Sequence, residues 1–202
     1  KAQALMLSGN VKIDGNVCDK SGSQFASTCA VEVIGPSSKY VGRGGDKIEP
    51  MFDYFQIEVS GRIAVDLGAS TGGFTDCLLQ RGAARVYAVD VGHHQLDFSL
   101  RTDPRVIVME DVNARFLSSA DFNPKPSLAV VDLSFISLRL VLAPILNIME
   151  RDSILLMLVK PQFELEPRSL SKGGVVKDEA DQLRAVDSVA NDWQRHGVAR
   201  GP

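Results

Sequence analysis

The sequence predicts an α/β fold in which helices cover both faces of a parallel sheet, with a small α+β module in front of it. Five runs of continuous apolar residues follow one another after Gly61, and stretches with helical spacing separate them. Strands that are buried on both faces of a parallel sheet have such unbroken apolar runs, and helical crossovers connect them. A chain of 202 residues is long enough to bury one full core of this kind beside a smaller unit.

The small module is assigned to residues 1–36, a linker to residues 37–46 and the larger domain to residues 47–202. The module begins with a helical fragment, and breaks in "DGN" and "SGS" then separate short strand-like pieces, as in a hairpin. The fragment has no N-cap residue ahead of it, and the last residues fall where a sixth strand is due. We therefore expect the module and the sheet to continue beyond the two ends of this sequence.

The elements of the larger domain follow in order from its apolar residues and its helix breakers. A first helix is predicted in "IEPMFDYFQI", where apolar residues recur at helical spacing. Helices in "GGFTDCLLQRG" and "DEADQLRAVDSVANDWQRHG" are expected to end at Gly82 and Gly197, since glycine favours the left-handed residue after a helix. A further helix is expected in "LRLVLAPILNIME", and Trp193 and Phe98 are expected in the core. The predicted strands are "RIAVDLG", "RVYAVDVG", "RVIVMED", "SLAVVDLS" and "SILLMLVKPQ".

Charge, hydropathy and cysteine content exclude several classes of protein. With a formal net charge of −3, the chain has no overall basic field, so any affinity for nucleic acid must come from a local patch. The longest aliphatic run, residues 154–159, is far shorter than the roughly 20 residues that span a membrane, so we expect no membrane partner. Three cysteines, an odd number without metal-ligand spacing, favour free thiols in a reducing cytoplasm over a Cys18–Cys29 pair and predict no metal site.

The turn "DLGASTGGF" joins the first strand of the sheet to a helix, at the edge where doubly wound folds bind ligands. A dinucleotide site needs G-x-G-x-x-G, so that bare backbone can approach a pyrophosphate at the helix start. Ser70 stands where the second glycine belongs, which disfavours a dinucleotide and with it a nicotinamide dehydrogenase. The spacing favours a ligand without phosphate, such as a nucleoside joined to a sulfonium-bearing amino acid. The predicted cofactor contacts here are Asp66, Gly68, Ser70, Thr71, Gly72 and Gly73.

Acidic residues end successive strands of the predicted sheet. Asp90, Asp111 and Asp132 follow the second, third and fourth strands, as Asp66 ends the first. Because the carboxyl ends of parallel strands meet at one edge, Asp90 is expected to accept hydrogen bonds from ribose hydroxyls and Asp111 to lie at an adenine edge. One such aspartate would be explained as a helix cap, but four in succession favour a ligand along that edge.

A family resemblance rests on four stretches of the larger domain. They are "KYVGRGGDKIE", "AVDLGASTGGFTDCLLQRGAARVYAVDVGHHQLDFSLRTDPRV", "VVDLSFISL" and "LVKPQFE". In order and spacing they resemble the FtsJ-like class of S-adenosylmethionine-dependent methyltransferases, and within it the TlyA or haemolysin A family of ribosomal RNA 2′-O-methyltransferases. The resemblance implies a Rossmann-like methyltransferase sheet and S-adenosylmethionine as the cofactor. Residues 1–36 resemble the later part of the α-L RNA-binding module of a small-subunit ribosomal protein.

The resemblance also implies a catalytic set of Lys, Asp, Lys and Glu. Matched motif by motif, the first three fall on Lys47, Asp132 and Lys160, and the Glu would lie beyond the last residue. Glu164 is not the match for this Glu and at most borders the site. Gly42 stands where the family usually has Ser, a departure that is expected to loosen the turn ahead of Lys47.

Methyl transfer to a ribose requires the same kinds of group. A 2′-hydroxyl is a weak nucleophile that must be aligned with the methyl group and lose its proton as it attacks. An amine accepts that proton only where burial or a second cation lowers its pKa. Lys160, at the end of an apolar strand, is therefore the better base. Lys47 would be the second cation that makes Lys160 a base, or it would orient the hydroxyl or hold a phosphate. Asp132 would position Lys160 and face the sulfonium.

The expected function is transfer of a methyl group from S-adenosylmethionine to a ribose 2′-hydroxyl, with ribosomal RNA or ribosomal subunits as the partner. Lys39 and Arg43 are candidate RNA contacts, although each is equally suited to a solvated surface position. One alternative is an RNA-binding protein that keeps the fold without turnover. A second is a haemolysin-like membrane-active protein, which lacks support because the sequence contains no spanning segment and no basic amphipathic helix.

Overall fold

The computed structural model describes residues 11–18, 20, 22–33, 39–166 and 174–198. The chain divides into two compact units, Lys1–Ser38 and Lys39–Pro202. The division falls within the range that the sequence assigned to a linker, and most of that range belongs to the larger unit. Its first helix begins at Gly44, three residues earlier than the expected start of the larger domain, because residues 42–45 pack against the glycine turn described below.

The smaller unit contains a three-stranded antiparallel sheet in the order β2-β1-β3. Its strands are β1 (Val11–Ile13), β2 (Asn16–Val17) and β3 (Val31–Val33). Asp14 and Gly15 join β1 to β2 with φ angles of 47° and 81°, and an Asp-Gly pair with both φ angles positive is the preferred two-residue hairpin turn. The predicted hairpin is therefore confirmed, whereas the predicted helical fragment before it lies outside the described residues.

The larger unit is built on a five-stranded sheet whose strands are all parallel. In chain order they are β4 (Ile63–Leu67), β5 (Arg85–Val89), β6 (Val106–Met109), β7 (Leu128–Val131) and β8 (Ile154–Met157). The spatial order is β6-β5-β4-β7-β8, so the direction of winding reverses between β4 and β7. In open α/β sheets the crevice at such a reversal, outside the carboxyl ends of the strands, is where ligands bind.

The helices of the larger unit include those that the sequence predicted. They are α1 (Gly44–Tyr54), α2 (Gly73–Gln80), α3 (Phe98–Arg101), α4 (Leu142–Ile148), α5 (Pro161–Glu164) and α6 (Glu179–Arg195). Gly82 and Gly197 follow α2 and α6 with φ angles of 86° and 80°, which confirms them as helix-ending glycines. The short helix α5 and two 3-10 turns, Ala114–Phe116 and Ser119–Asp121, were not predicted. A third 3-10 turn, Leu138–Leu140, forms the start of the stretch that was expected as one helix with α4.

Helices cover both faces of the sheet, as expected, because side chains of each strand alternate between two apolar clusters. Ala64 of β4 packs in one cluster with Ile48 of α1 and Leu78 of α2. Its neighbour Val65 packs in the other with residues that include Ile145 of α4 and Trp193 of α6. Trp193 is thus confirmed in the core. The same prediction for Phe98 is wrong, because in α3 it is Leu100 that is buried and Phe98 lies exposed.

Candidate active site

An open cleft of about 930 Å³ lies at the carboxyl ends of the strands, a volume within the range of small-molecule sites. Its walls come from the segments that follow β4, β5, β6 and β7. Gly68 and Ser70 follow β4, Asp90 follows β5 and Asn113 follows β6. The cleft therefore lies at the reversal of strand order, where the fold leaves space between neighbouring connections.

The glycine turn after β4 is shaped by contacts with the protein's own backbone. Gly68 has a φ of 90°, and a Cβ there would lie 2.5 Å from the carbonyl oxygen of Asp132. A Cβ on Gly73 would lie 2.9 Å from the carbonyl oxygen of Gly42 and from the amide nitrogen of Gly44. These glycines let the turn approach both the end of β7 and the start of α1. The start of α1 brings Arg43 and Lys47 beside the turn.

Asp66 lies beneath this turn and does not line the cleft. Its side chain is fully buried, and Oδ2 accepts hydrogen bonds from the amide of Thr75 at 2.9 Å and from the Thr75 hydroxyl at 2.7 Å. Oδ1 has no hydrogen-bond partner among the described residues. Burial is the largest cause that raises the pKa of Asp66 to about 7, and the nearby charges of Asp132 and Asp90 act in the same direction.

Asp90 lines the cleft and links two of its loops. Its Oδ2 accepts a hydrogen bond from the amide of Ser70 at 2.8 Å, and its Oδ1 accepts one from the amide of Gly92 at 2.7 Å. A carboxylate has about four acceptor positions. Because only two of these positions are used here, each oxygen can accept a further hydrogen bond from a group in the cleft.

Asp111, like Asp66, does not line the cleft, whereas Asp90 and Asp132 do. It has a φ of 60°, and its Oδ2 lies 2.7 Å from Nδ1 of His93 on the exposed surface. The two residues after it, Val112 and Asn113, line the cleft instead. The left-handed backbone at Asp111 turns the chain there. The position of Asp111 after its strand therefore predicted the correct loop, but not the residues of that loop that line the cleft.

Asp132 and Lys160 meet at the ends of the adjacent strands β7 and β8. Lys160 Nζ lies 2.5 Å from Asp132 Oδ1 and donates a hydrogen bond to Ser134 Oγ at 2.8 Å. Only 24% of the Lys160 side chain and 21% of the Asp132 side chain are exposed. Partial burial strengthens an ion pair relative to one in open solvent.

A second, smaller pocket of about 210 Å³ adjoins the cleft. Gly68, Ser70 and Asp132 line both spaces. Lys47 lines the small pocket, and so do Arg43, Thr71 and Gly73. The structure therefore brings the predicted residues Lys47 and Asp132 together, while Gly72 lines neither space because it packs towards Leu96 and Leu100.

The two candidate RNA contacts differ in their surroundings. Lys39 forms an ion pair with Glu49, and its amine lies 5.2 Å from the ring centre of Tyr40. Arg43 is exposed on the wall of the small pocket and has no ion pair among the described residues. The same holds for Lys47. Arg43 and Lys47 are therefore available to an anionic ligand, whereas Lys39 already has an acidic partner.

Several residues of the cleft were missed by sequence reasoning. Ser134 and Phe135 lie in the loop after β7, Phe163 lies in α5 after β8, and all three line the cleft. Phe135 is 92% exposed, has a φ of 64° and lies with its ring centre 5.3 Å from that of Phe163. The stretch "LSFISL" marked this loop, but a positive φ at a phenylalanine is rare and has no signal in the sequence.

Glu164 supports this loop and does not line either space. Its carboxylate accepts hydrogen bonds from the Ser137 hydroxyl at 2.6 Å and from the Leu138 amide at 2.7 Å. Arg139 Nε lies 3.6 Å from the same carboxylate. The carbonyl of Gly42 accepts a hydrogen bond from the amide of Gly45 at 3.2 Å, and the expected loosening of this turn stays a prediction.

In the parts of the chain that the structure describes, none of the helices combines the length and the apolar content that crossing a membrane requires.

Comparison with known proteins identifies the family. The model of the FtsJ-like methyltransferase family matches residues 40–199. The chain is 43% identical over 208 residues to the 16S/23S rRNA (cytidine-2′-O)-methyltransferase TlyA of Mycobacterium tuberculosis, covering 100% of this chain and 78% of that protein. It is also 43% identical over 180 residues to Hemolysin A of Brachyspira hyodysenteriae, covering 89% of this chain and 75% of that protein.

A solved structure gives the same result. The structure named "Putative hemolysin from Streptococcus thermophilus" matches with a TM-score of 0.78 and 37% identity, over 95% of this chain and 72% of that one. The family match covers both the cleft and the pocket that adjoins it. The chain therefore belongs to the FtsJ-like methyltransferase family.

Proposed function

We propose that this chain transfers a methyl group from S-adenosylmethionine to a ribose 2′-hydroxyl of ribosomal RNA. The observation that carries the proposal is the position of Asp132. It lines both the cleft and the small pocket and holds Lys160 at 2.5 Å. A methyl donor in one space and a hydroxyl in the other would meet at this carboxylate. The TlyA relative that is 43% identical acts on ribosomal RNA according to its name.

Several features of the cleft support S-adenosylmethionine as its ligand. Asp90 retains acceptor positions for ribose hydroxyls, and Val112 and Asn113 supply the wall where an adenine edge was expected at Asp111. Gly68 and Ser70 present backbone rather than bulky side chains beside it. When bound, the cofactor supplies an electrophilic methyl group on a sulfonium, which suits a site whose acidic groups carry negative charge. The remaining predicted contacts, Asp66, Thr71, Gly72 and Gly73, would act by shaping the turn.

The small pocket is the side from which RNA would approach. Arg43 and Lys47 are exposed cations on its wall without acidic partners among the described residues. Cations of this kind bind phosphate oxygens and fix the register of a nucleic acid. We assign Lys47 to the substrate ribose or its phosphate, because it shares the pocket with Asp132, and Arg43 to the adjacent backbone. Lys39 would contribute less, since Glu49 already neutralises it.

The proton of the 2′-hydroxyl would pass to Lys160. The cofactor would supply the methyl group that the ribose oxygen takes as it loses its proton, and the sulfur would keep the electron pair of the broken bond. Lys160, as the neutral amine, would take the proton on Nζ, and the carboxylate of Asp132 would stabilise the resulting ammonium. Lys47 would hold the sugar in line during the attack.

The smaller unit is proposed as an RNA-binding module, on its resemblance to a ribosomal-protein module. Structured RNA is recognised through shape, phosphates and 2′-hydroxyls, so an accessory unit suits a ribosomal substrate. We also propose a cytoplasmic location, where ribosomes are present. The three cysteines, Cys18, Cys29 and Cys77, are unpaired, as expected in a reducing compartment.

The proposal is tested by the position of the transferred methyl group. Full-length protein is incubated with S-adenosylmethionine labelled in the methyl group and with ribosomal subunits that lack the modification. The RNA is then digested with alkali, which cleaves only next to a free 2′-hydroxyl. We expect the label in alkali-resistant dinucleotides. Label in mononucleotides would indicate a methylated base, and cofactor binding without any transfer would indicate an RNA-binding protein without turnover; either result would overturn the proposal.

A further inference from the structure

We infer that Ser134 is a positioning residue that aims the Lys160 amine at the substrate hydroxyl. The inference rests on the proposed function, in which Lys160 accepts the proton. Ser134 is not part of the catalytic set that the family resemblance implied. Its hydroxyl accepts a hydrogen bond from Lys160 Nζ at 2.8 Å and faces the cleft.

The geometry of a neutral amine explains why a second acceptor matters. A neutral lysine has two N–H donors and one lone pair, whereas the ammonium has three donors. Ser134 takes one N–H group, and Asp132 Oδ1 lies 2.5 Å from the same nitrogen as an ion-pair partner without a hydrogen bond. The lone pair is then left with the direction that neither oxygen occupies. With Asp132 alone, the amine can rotate about the Cε–Nζ bond and point its lone pair in more than one direction. Ser134 therefore fixes the direction in which Lys160 can accept a proton.

The loop that carries Ser134 is held at both ends. At its start, the amide of Asp132 donates a hydrogen bond to the carbonyl of Leu67 at 2.9 Å. At its far end, Glu164 accepts hydrogen bonds from Ser137 and Leu138 with a carboxylate that is 1% exposed. Between these ends Phe135 adopts its left-handed conformation, and strained backbone of this kind persists only where the surroundings hold it. The hydroxyl of Ser134 is thus carried on an ordered segment.

The charged groups around Lys160 come from several elements. Asp132 pairs with it directly, and Lys47 of α1 lies on the pocket that Asp132 lines. Asp66 and Asp90 lie beyond the glycine turn at the ends of β4 and β5, and Arg139 pairs with Glu164 further along the loop. Ser134 is uncharged, so replacing it changes a hydrogen bond to Lys160 without changing the net charge of the site.

The test compares Ser134→Ala and Ser134→Thr with the unmodified full-length protein. At saturating cofactor and RNA, we expect Ser134→Ala to lower kcat roughly tenfold, as one hydrogen bond implies. The KM for RNA and the Kd for S-adenosylmethionine should stay within about twofold, because Ser134 acts on Lys160 rather than on either ligand. Ser134→Thr retains the hydroxyl and should restore most of kcat.

The split between kcat and binding is the readout that a merely structural role would not give. A loosened site would weaken the binding of RNA and of S-adenosylmethionine as well as lower kcat, whereas a misdirected amine lowers kcat alone. Ser153→Ala is the control, since its hydroxyl donates to the carbonyl of Glu150 ahead of β8, away from the cleft. It should leave kcat and both affinities unchanged.

The outcomes separate this inference from the proposed function. An unmodified protein that transfers no methyl group to ribose would overturn the proposed function, and the inference with it. Methyl transfer whose kcat is the same in Ser134→Ala as in the unmodified protein would overturn the inference alone. Failure of Ser134→Thr to recover activity, although it binds both ligands normally, would also overturn it.

Discussion

Lys160 and Asp132 are 28 positions apart in the chain, yet Nζ and Oδ1 lie 2.5 Å from each other. The pairing of β7 with β8 explains this contact. Val131 lies beside Met157 in register, so Asp132 leaves the sheet immediately next to the segment that leads to Lys160. A parallel sheet brings such strand-end residues together regardless of their separation in the sequence.

Asp132→Asn should show how much of the rate depends on the negative charge of Asp132 rather than on the size of its side chain. The amide keeps the size of the side chain but no longer neutralises the ammonium that proton transfer creates. We expect the single-turnover rate of methyl transfer to fall roughly 10- to 100-fold, less than for a fully buried pair because about a fifth of each side chain is exposed. Asp121→Asn, on a remote turn, is the control. An unchanged rate in Asp132→Asn would contradict the assigned role.

Gly68→Ala should damage the glycine turn more than Gly61→Ala does. Both positions have a left-handed φ, 90° and 72°, which costs about 1–2 kcal/mol for alanine. A Cβ at Gly61 meets no atom within 4 Å, whereas one at Gly68 lies 2.5 Å from the Asp132 carbonyl oxygen. We expect a larger loss of unfolding free energy in urea and a loss of S-adenosylmethionine affinity by calorimetry for Gly68→Ala only. Equal effects at the two sites would show that the close approach does not matter.

Asp66 should make folding stability depend on pH. Burial raises the pKa of Asp66 from 3.8 to about 7, so between these values the folded state holds a proton that the unfolded state has lost. The free energy of unfolding therefore falls as pH rises through this window and levels off above it.

Asp66→Asn should remove this dependence, because an amide stays neutral while its oxygen still accepts from Thr75. We expect urea unfolding at about pH 5, 6, 7 and 8 to show a gap of several kcal/mol opening in favour of the variant as pH rises. Asp46→Asn, an exposed change on α1, is the control. Parallel profiles for Asp66→Asn and the unmodified protein would refute the raised pKa.

Arg43→Ala should weaken RNA binding in a salt-dependent way. Losing one phosphate contact reduces the slope of log affinity against log salt concentration by about 1. Lys39→Ala removes a cation from the same region, but one that Glu49 already neutralises. We expect a smaller change of slope for Lys39→Ala when an rRNA fragment is titrated at several salt concentrations. A larger effect for Lys39 than for Arg43 would reverse the two assignments.

The fold was largely predictable because the pattern of apolar residues along the chain reflects which residues are buried. Runs such as residues 63–67 and 128–131 are buried on both faces, and such strands have no polar face to interrupt the pattern. The four-residue helix α5 was missed because it is shorter than two helical turns. Phe98 was misplaced for a similar reason, since the four residues of α3 do not define an apolar face.

The residues of the site were predictable only as far as motifs and strand ends locate them. Lys47, Asp132 and Lys160 follow from motif positions, and the structure brings them around one pocket or one ion pair. For Asp111 and Ser134, motifs and strand ends do not predict the position of the side chain. A left-handed φ turns Asp111 away from the cleft, and the hydrogen bond of Ser134 depends on the path of a loop. Neither has a signature in residue type or spacing.

The central claim is most directly tested by the rate of methyl transfer from labelled S-adenosylmethionine to ribosomal RNA in Lys160→Ala, with Lys125→Ala, a remote exposed lysine, as its control. We predict that Lys160→Ala binds S-adenosylmethionine normally and loses roughly 10²- to 10⁴-fold in rate, the range expected for loss of a general base. Lys125→Ala should retain the full rate. Normal transfer by Lys160→Ala would contradict the account.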